Sequence, residues 1–320
     1  MTVIEPFARP LIGISSCLLG QQVRFDGGHK KDSWITGPLS AFMDFLPVCP
    51  EVGIGLGIPR PTIRLVGDPE HPRAVGSKDP SMDVTDRLAS FAAVQTTGFG
   101  GLSGYVLKSK SPSCGMARVP VTSDKGMPAK VGVGIYARVL MDRMPLLPVE
   151  EDGRLNDPVL RENFVSRVFV YHRWQQLRAA PVTAAALIDF HSRHKYLVMA
   201  HSQAAYQRLG RMLAHLKEVD LEAVAEMYVA ELMAALARRV TRRRHVNVLH
   251  HIMGYLKDHI DGGDKAELIA SIEAYRREEV SLVVPMTLLR HHLRRHPDPY
   301  MQRQVYLSPY PETLGLRGAI

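Results

Sequence analysis

Up to about residue 145 the chain alternates short apolar, β-rich runs with loops broken by glycine and proline. Beyond that point apolar positions recur at three- and four-residue steps. The first pattern predicts strands over 11–15, 45–48, 63–66, 104–107 and 131–138. It also predicts an amphipathic helix over 84–97, with Leu88, Phe91, Ala92 and Gln95 at helical spacing. Interleaved strands and helices of this kind indicate an α/β domain, Rossmann-like with a mostly parallel sheet.

A proline-rich, acidic stretch over 145–158 reads as a connection, followed by a helix over 159–179 that Pro181 ends. Leu187, Phe190, His194, Leu197, His201 and Ala204 then form one helical stripe, and Leu249, Ile252, Leu256 and Ile260 another. Gly262-Gly263 reads as the end of one helix and Asp264 as the cap of the next, over 265–279, with a break before Pro285. The expected organisation is an α/β domain over 1–150, a connecting segment and helix over 151–180, and an all-α domain of about five helices over 181–320.

Composition narrows the class. Hydrophobic residues at 46% and charged residues at 22% are globular values, so a disordered chain is excluded. No run approaches the ~18 to 20 apolar residues of a membrane span, and residues 1–10 lack the features of a signal peptide, so a cytoplasmic protein is expected. A net charge of +8 permits a polyanionic partner without requiring one.

Three cysteines, an odd number with no close pair, make a poor disulfide framework. Each follows a short apolar run: Cys17 after 11–15, Cys49 after 45–48, and Cys114 in the loop Lys-Ser-Lys-Ser-Pro-Ser-Cys-Gly that follows 104–107. In open α/β sheets ligands bind beyond the carboxyl ends of the strands, which is where such residues fall. A buried cysteine also packs as a small hydrophobe. The company of these three argues for ligation instead: Arg24 and Asp26 follow Cys17, Glu51 follows Cys49, and Ser109, Lys110 and Ser111 precede Cys114. Structural zinc favours four ligands and close Cys pairs, which are missing; an iron–sulfur cubane on three cysteines leaves one iron open as a Lewis acid toward sulfur. Both an open-site cluster and zinc remain compatible with the residues.

Ser16-Cys17-Leu18-Leu19-Gly20 with Val23-Arg24-Phe25-Asp26-Gly27, then Cys49-Pro50-Glu51, then Lys108 to Gly115, resemble the three signature blocks of the thiouracil desulfurase family. Phe25 and Lys110 stand where that family commonly has Tyr and Arg, and Phe25 has no hydroxyl to donate. The resemblance implies a non-redox desulfidase with a [4Fe-4S] cluster on Cys17, Cys49 and Cys114, one iron being left without a protein ligand. Under it, Glu51 is the candidate base, desolvated in the cleft, with an ion pair to Arg24 or Lys108 as the alternative role. Ser109 and Ser111 are candidate hydrogen-bond donors to substrate or, alternatively, ordinary turn hydroxyls; Arg24, Asp26, Lys108 and Lys110 are candidate substrate-binding residues.

The second half, through Phe190-His191-Ser192-Arg193-His194-Lys195, Met199-Ala200-His201-Ser202, His245 to His251 and Val284 to Leu289, resembles the YbgA-like helical domain. The two-domain arrangement resembles desulfidases acting on 4-thiouridine in tRNA. The expected partner is therefore a tRNA substrate. Desulfuration of free thiouracil, with the helical half serving assembly, is one alternative, and an RNA-binding regulator with a structural or sensing metal is another. Two basic clusters, Arg238 to His245 and Arg290 to His296, bear on the choice. Arg239, Arg242, Arg243, Arg244 and an exposed Lys195 are the candidate RNA contacts, although a charge run also serves as a solvated helix face. His194 and His201 fall in the apolar stripe and read as core histidines with satisfied nitrogens.

Overall fold

A computed structural model describes residues 8–123, 126–216 and 220–320 of the chain. It divides into two compact units, one ending at Asn156 and the other running from Asp157 to Ile320.

The first unit is built on a four-stranded, all-parallel sheet. Its strands are β1 (Leu11–Ser15), β2 (Asp44–Val48), β5 (Leu102–Leu107) and β8 (Val149–Glu151), in the order β2-β1-β5-β8. Every residue of β5 is buried, as expected of a central strand covered on both faces. Pro47 is tolerated because β2 lies at the edge, where a missing N–H costs no ladder bond. Gly13 lets β1 and β5 meet, since a Cβ there would stand 2.3 Å from the Tyr105 ring.

A second sheet, in the order β4-β3-β6-β7, is formed by β3 (Ile63–Val66), β4 (Arg73–Gly76), β6 (Val119–Thr122) and β7 (Pro128–Gly132). Only β3 and β6 run parallel in it. Ile63, Leu65, Ala74, Leu88, Val119 and Val121 form its core against α3 (Thr85–Thr97). Two short helices, α1 (Ser33–Thr36) and α2 (Pro50–Gly53), lie in the connections.

The strand expected over 131–138 is not formed. β7 stops at Gly132, Gly134 caps α4 (Ile135–Arg143), and Ile135, Tyr136, Ala137 and Leu140 are buried at helical spacing. The Val-Gly-Val-Gly alternation carries the strand only to its first glycine, Gly132.

The second unit is all helical among the described residues. The helix expected over 159–179 is α5 (Pro158–Arg178), and it belongs to this unit instead of serving as a connector. Beyond it come α6 (Ala184–His201), α7 (Gln203–Met212), α8 (Leu221–Leu236), α9 (Arg242–Met253), α10 (Gly262–Arg276), α11 (Val283–Arg295) and α12 (Pro299–Gln302). Seven helices replace the expected five because caps divide runs whose apolar spacing continues. Ser202, at φ −160°, ends α6 and its hydroxyl accepts from Ala205 N to start α7, which leaves Ala204 exposed. Asp261, not Asp264, caps α10 by accepting from Asp264 N at 2.8 Å, so Gly262 and Gly263 open that helix. Pro285 lies in the first turn of α11, where no intrahelical N–H is needed. No helix of the described residues is long and apolar enough to cross a membrane.

Candidate active site

The parallel sheet brings its four carboxyl ends to one edge. Cys17 stands two residues beyond β1, Cys49 directly follows β2, Lys108 directly follows β5, and Asp152 directly follows β8. A cavity of about 480 Å³ opens there. Cys17, Cys49, Glu51, Arg60 and the whole run Lys108 to Cys114 line it, with Arg24, Phe25 and Lys30.

Local sequence explains each placement. Cys17 lies in a short 3-10 turn closed by Gly20 at φ 94°, and its carbonyl accepts from Lys30 N at 2.9 Å. Cys49 precedes Pro50 at the start of α2, which puts Glu51 in the first helical turn. Cys114 sits in a loop held from below by α4: Ile135 N donates to the Pro112 carbonyl at 3.1 Å and Ala137 N to that of Ser113 at 3.1 Å. Gly134 is required there, because a Cβ would stand 2.5 Å from the Ser113 carbonyl oxygen.

Burial raises all three thiols above the usual cysteine range. Burial pushes Cys17 up to about 11, and the neighbouring Cys49 adds to it. Burial pushes Cys114 up to about 12, helped by Glu51 and Cys49. Cys49 is also raised, first by burial. Metal ligation drives protons off such thiols, so a cationic cofactor would offset the cost of burying three thiolates. Among the described residues no three His, Cys, Asp or Glu side chains are grouped closely enough for a single metal ion. A cubane places less demand on proximity, because its cysteines bond to different iron corners and their sulfurs stand farther apart than the ligands of one ion. Three cysteine donors lining one cavity fit a cluster held at three of its corners.

Glu51 is engaged at both oxygens. Ser113 Oγ donates to Oε1 at 2.7 Å, while Arg60 Nε and Nη2 both stand 2.8 Å from Oε2. The expected ion-pair partners are occupied elsewhere: Arg24 is 3.5 Å from Asp26, and Lys108 Nζ is 2.6 Å from Asp152. Ser111 Oγ shares a hydrogen bond with Ser113 Oγ at 2.9 Å and accepts from Cys114 N at 3.1 Å. Ser109 Oγ accepts from Lys108 Nζ at 3.0 Å, and its N–H donates to Asp152 at 2.7 Å. Burial alone would raise the Asp152 carboxyl, but hydrogen bonds from Lys108 and Ser109 hold it below the usual carboxylate range.

The structure thus brings Cys17, Cys49, Cys114, Glu51, Ser109, Ser111, Arg24, Lys108 and Lys110 to one cavity. Asp26 is not among the lining residues; its carboxylate accepts from Gly28 N at 3.0 Å in its own turn. Lys108 is tied to Asp152, whereas Lys110, exposed and at φ 61°, Lys30, also exposed, and Arg24, stacked over Phe25 at 5.2 Å, bring further positive charge to the cavity. Arg60, Ser113 and Asp152 went unread in the sequence. Arg60 offered one signal, a cation between two prolines in a stretch with no period to serve.

In the helical unit the candidate RNA residues separate. Arg239 and Arg243 are exposed. Arg242 is stacked over Tyr275 at 4.8 Å and stands 3.5 Å from Glu278, and Arg244 Nη1 donates to the His201 carbonyl at 2.6 Å. Lys195 is half-buried, not exposed, with its Nζ over the rings of Tyr300 at 4.7 Å and Tyr196 at 4.9 Å. His194 and His201 are core residues, each 1% exposed and kept neutral by burial, which pushes them down to about 3 and about 4. The Nδ1 atoms meet the carbonyls of Phe190 and Arg238, but His194 Nε2 has no hydrogen-bond partner among the described residues.

Comparison with known proteins agrees with this division. Residues 12–152 match the 2-thiouracil desulfurase family, and residues 195–311 match a protein family of unknown function (DUF1722). Over 152 residues, 47% of this chain and 90% of the relative, the sequence is 34% identical to the uncharacterized protein YbgA of Escherichia coli (strain K12). A solved structure of the [4Fe-4S]-dependent thiouracil desulfidase TudS aligns with a TM-score of 0.38 at 29% identity, covering 48% of this chain and 98% of that one. The chain belongs to the YbgA family and carries, ahead of that helical region, a domain of the 2-thiouracil desulfurase family.

Proposed function

We propose that the cavity removes sulfur from a thiolated uracil by a hydrolytic, non-redox route. The observation that carries this reading is the convergence of Cys17, Cys49 and Cys114 with a hydrogen-bonded Glu51 at the carboxyl edge of one sheet. Water supplies the oxygen of the new C–O bond, the C–S bond breaks, sulfur leaves as hydrosulfide, and no electron changes hands.

The three thiolates would hold a [4Fe-4S] cluster with one iron free of protein ligands, and the bound cluster would supply a Lewis acid for a soft sulfur. The chain's own residues do the rest. Glu51 takes the proton of the attacking water and returns it to the leaving sulfur, with Ser113 and Ser111 extending its hydrogen bonds into the cavity. Phe25 offers a ring face to the pyrimidine, and Arg24 and Lys110 attract its anionic substituents.

The substrate favoured here is 4-thiouridine in tRNA, supported by the helical domain with exposed Arg239 and Arg243. The engagement of Arg242 and Arg244 within that domain favours the second reading, free thiouracil. Protein reconstituted anaerobically with iron and sulfide is to be mixed with thiolated tRNA and with thiouracil, following loss of thiocarbonyl absorbance. Turnover of tRNA is expected, and Cys49→Ala should lose both iron and turnover. Colourless, iron-free protein with full activity would overturn the cluster, and turnover of the free base alone would overturn the tRNA assignment.

A further inference from the structure

Arg60 is nearly sealed from solvent, with a side chain 3% exposed, and its three nitrogens all have partners. Nε and Nη2 reach Glu51, and Nη1 donates to the carbonyls of Val23 at 2.9 Å and Gly57 at 3.1 Å. Its backbone N–H donates to the Phe25 carbonyl at 2.9 Å, so it joins the segment after Cys17 to the turn after Cys49.

A buried ion pair is a poor stability device, because desolvation of two charges offsets their attraction and apolar residues would do as well. The geometry here is also unusual for the pair. A guanidinium fork commonly takes both oxygens of a carboxylate. In this site both Arg60 donors converge on Oε2, and Oε1 is left for the Ser113 hydroxyl, which continues to Ser111 and the cavity.

We propose that Arg60 is a positioning residue for desulfuration: it clamps Oε2 of Glu51 so that Oε1 alone is presented toward Ser113 and the reacting water. The role rests on the desulfidase reading. Lysine cannot replace it, since one nitrogen cannot reach Glu51, Val23 and Gly57 together.

A double-mutant cycle between Arg60→Lys and Glu51→Gln tests this in reconstituted full-length protein, with kcat, KM and iron and sulfide content measured for each form. Arg60→Lys is expected to lower kcat about 100-fold, the usual cost of misplacing a catalytic group. KM and cluster content should hold. The double variant should be no slower than Glu51→Gln alone, because Arg60 acts only through Glu51. Multiplying effects would overturn the role, as would loss of iron in step with activity, which would make Arg60 a brace for the cysteine loops. If Arg60→Lys does not fold, Arg60→Ala with added ethylguanidinium takes its place: recovery of kcat by ethylguanidinium but not by ethylammonium supports the proposal, and equal response or none overturns it. A wild type inactive on every thiolated substrate removes the desulfidase reading and this role with it; an active wild type with multiplying effects removes the role alone.

Discussion

Cys17 and Cys114 hold their protons more tightly than a free thiol because burial penalises the thiolate and neighbouring acidic groups repel it. Cluster-free protein should therefore react slowly with iodoacetamide at pH 8, and the alkylation of Cys17 should rise with a midpoint near about 11. The linked stability has a definite sign. A group whose protonated form is favoured by folding contributes fully below its ordinary value, 9.0, and loses that contribution as the pH climbs through about 11. The Tm of the cluster-free protein should fall across that window, and a Cys17→Ser variant should fall less. Rapid alkylation at pH 8 would show that the sulfur is already ionised. Glu51 teaches a related lesson: its distance from Cys49 is legible in sequence, but its partner is not, because Arg60 comes from a proline-bound loop with no periodic signal.

At the scale of elements, the site depends on how the Cys114 loop rests on α4. The first N–H groups of that helix are spent on the carbonyls of Pro112 and Ser113, and Gly134 leaves the room for this contact. Gly134→Ala should cost about 1–3 kcal/mol, the range for overpacking a close contact. It should also reduce iron retention, since the displaced residue lies next to Cys114. Denaturation midpoints and iron content measured together check this; an unchanged iron content in a destabilised protein would separate the loop from the cluster. The same region defeated the strand expected over 131–138. Alternating apolar residues look alike at the end of a strand and at the start of a buried helix, and only packing against β3 and β6 decides between them.

For the molecule as a whole, the basic residues of the helical unit fall into two kinds. Arg243 and Arg244 are both exposed, but Arg244 also ties the start of α9 to the last carbonyl of α6. Arg243→Glu together with Arg239→Glu should weaken tRNA binding and flatten its salt dependence by about one unit of slope per lost phosphate contact. Folding and thiouracil turnover should be untouched. Arg244→Glu should instead lower the Tm, because it removes a partner from a helix C-terminus. Filter binding across a salt series and thermal melts distinguish the two, and an unchanged salt slope in the Arg239 and Arg243 variant would remove RNA from the role of that face.

The sequence by itself determined the two-part architecture, the three cysteines at strand ends and most of the residues around them, because periodicity and turn chemistry are local properties. It also located the core histidines through their place in an apolar stripe. Only tertiary structure decided which partner each charge meets. Arg60 reaches Glu51 across nine positions, Asp152 reaches Lys108 across forty-four, and Arg244 reaches the His201 carbonyl across forty-three. Contacts at such separations are set by where strands and helices are laid side by side, which no local pattern of the chain records.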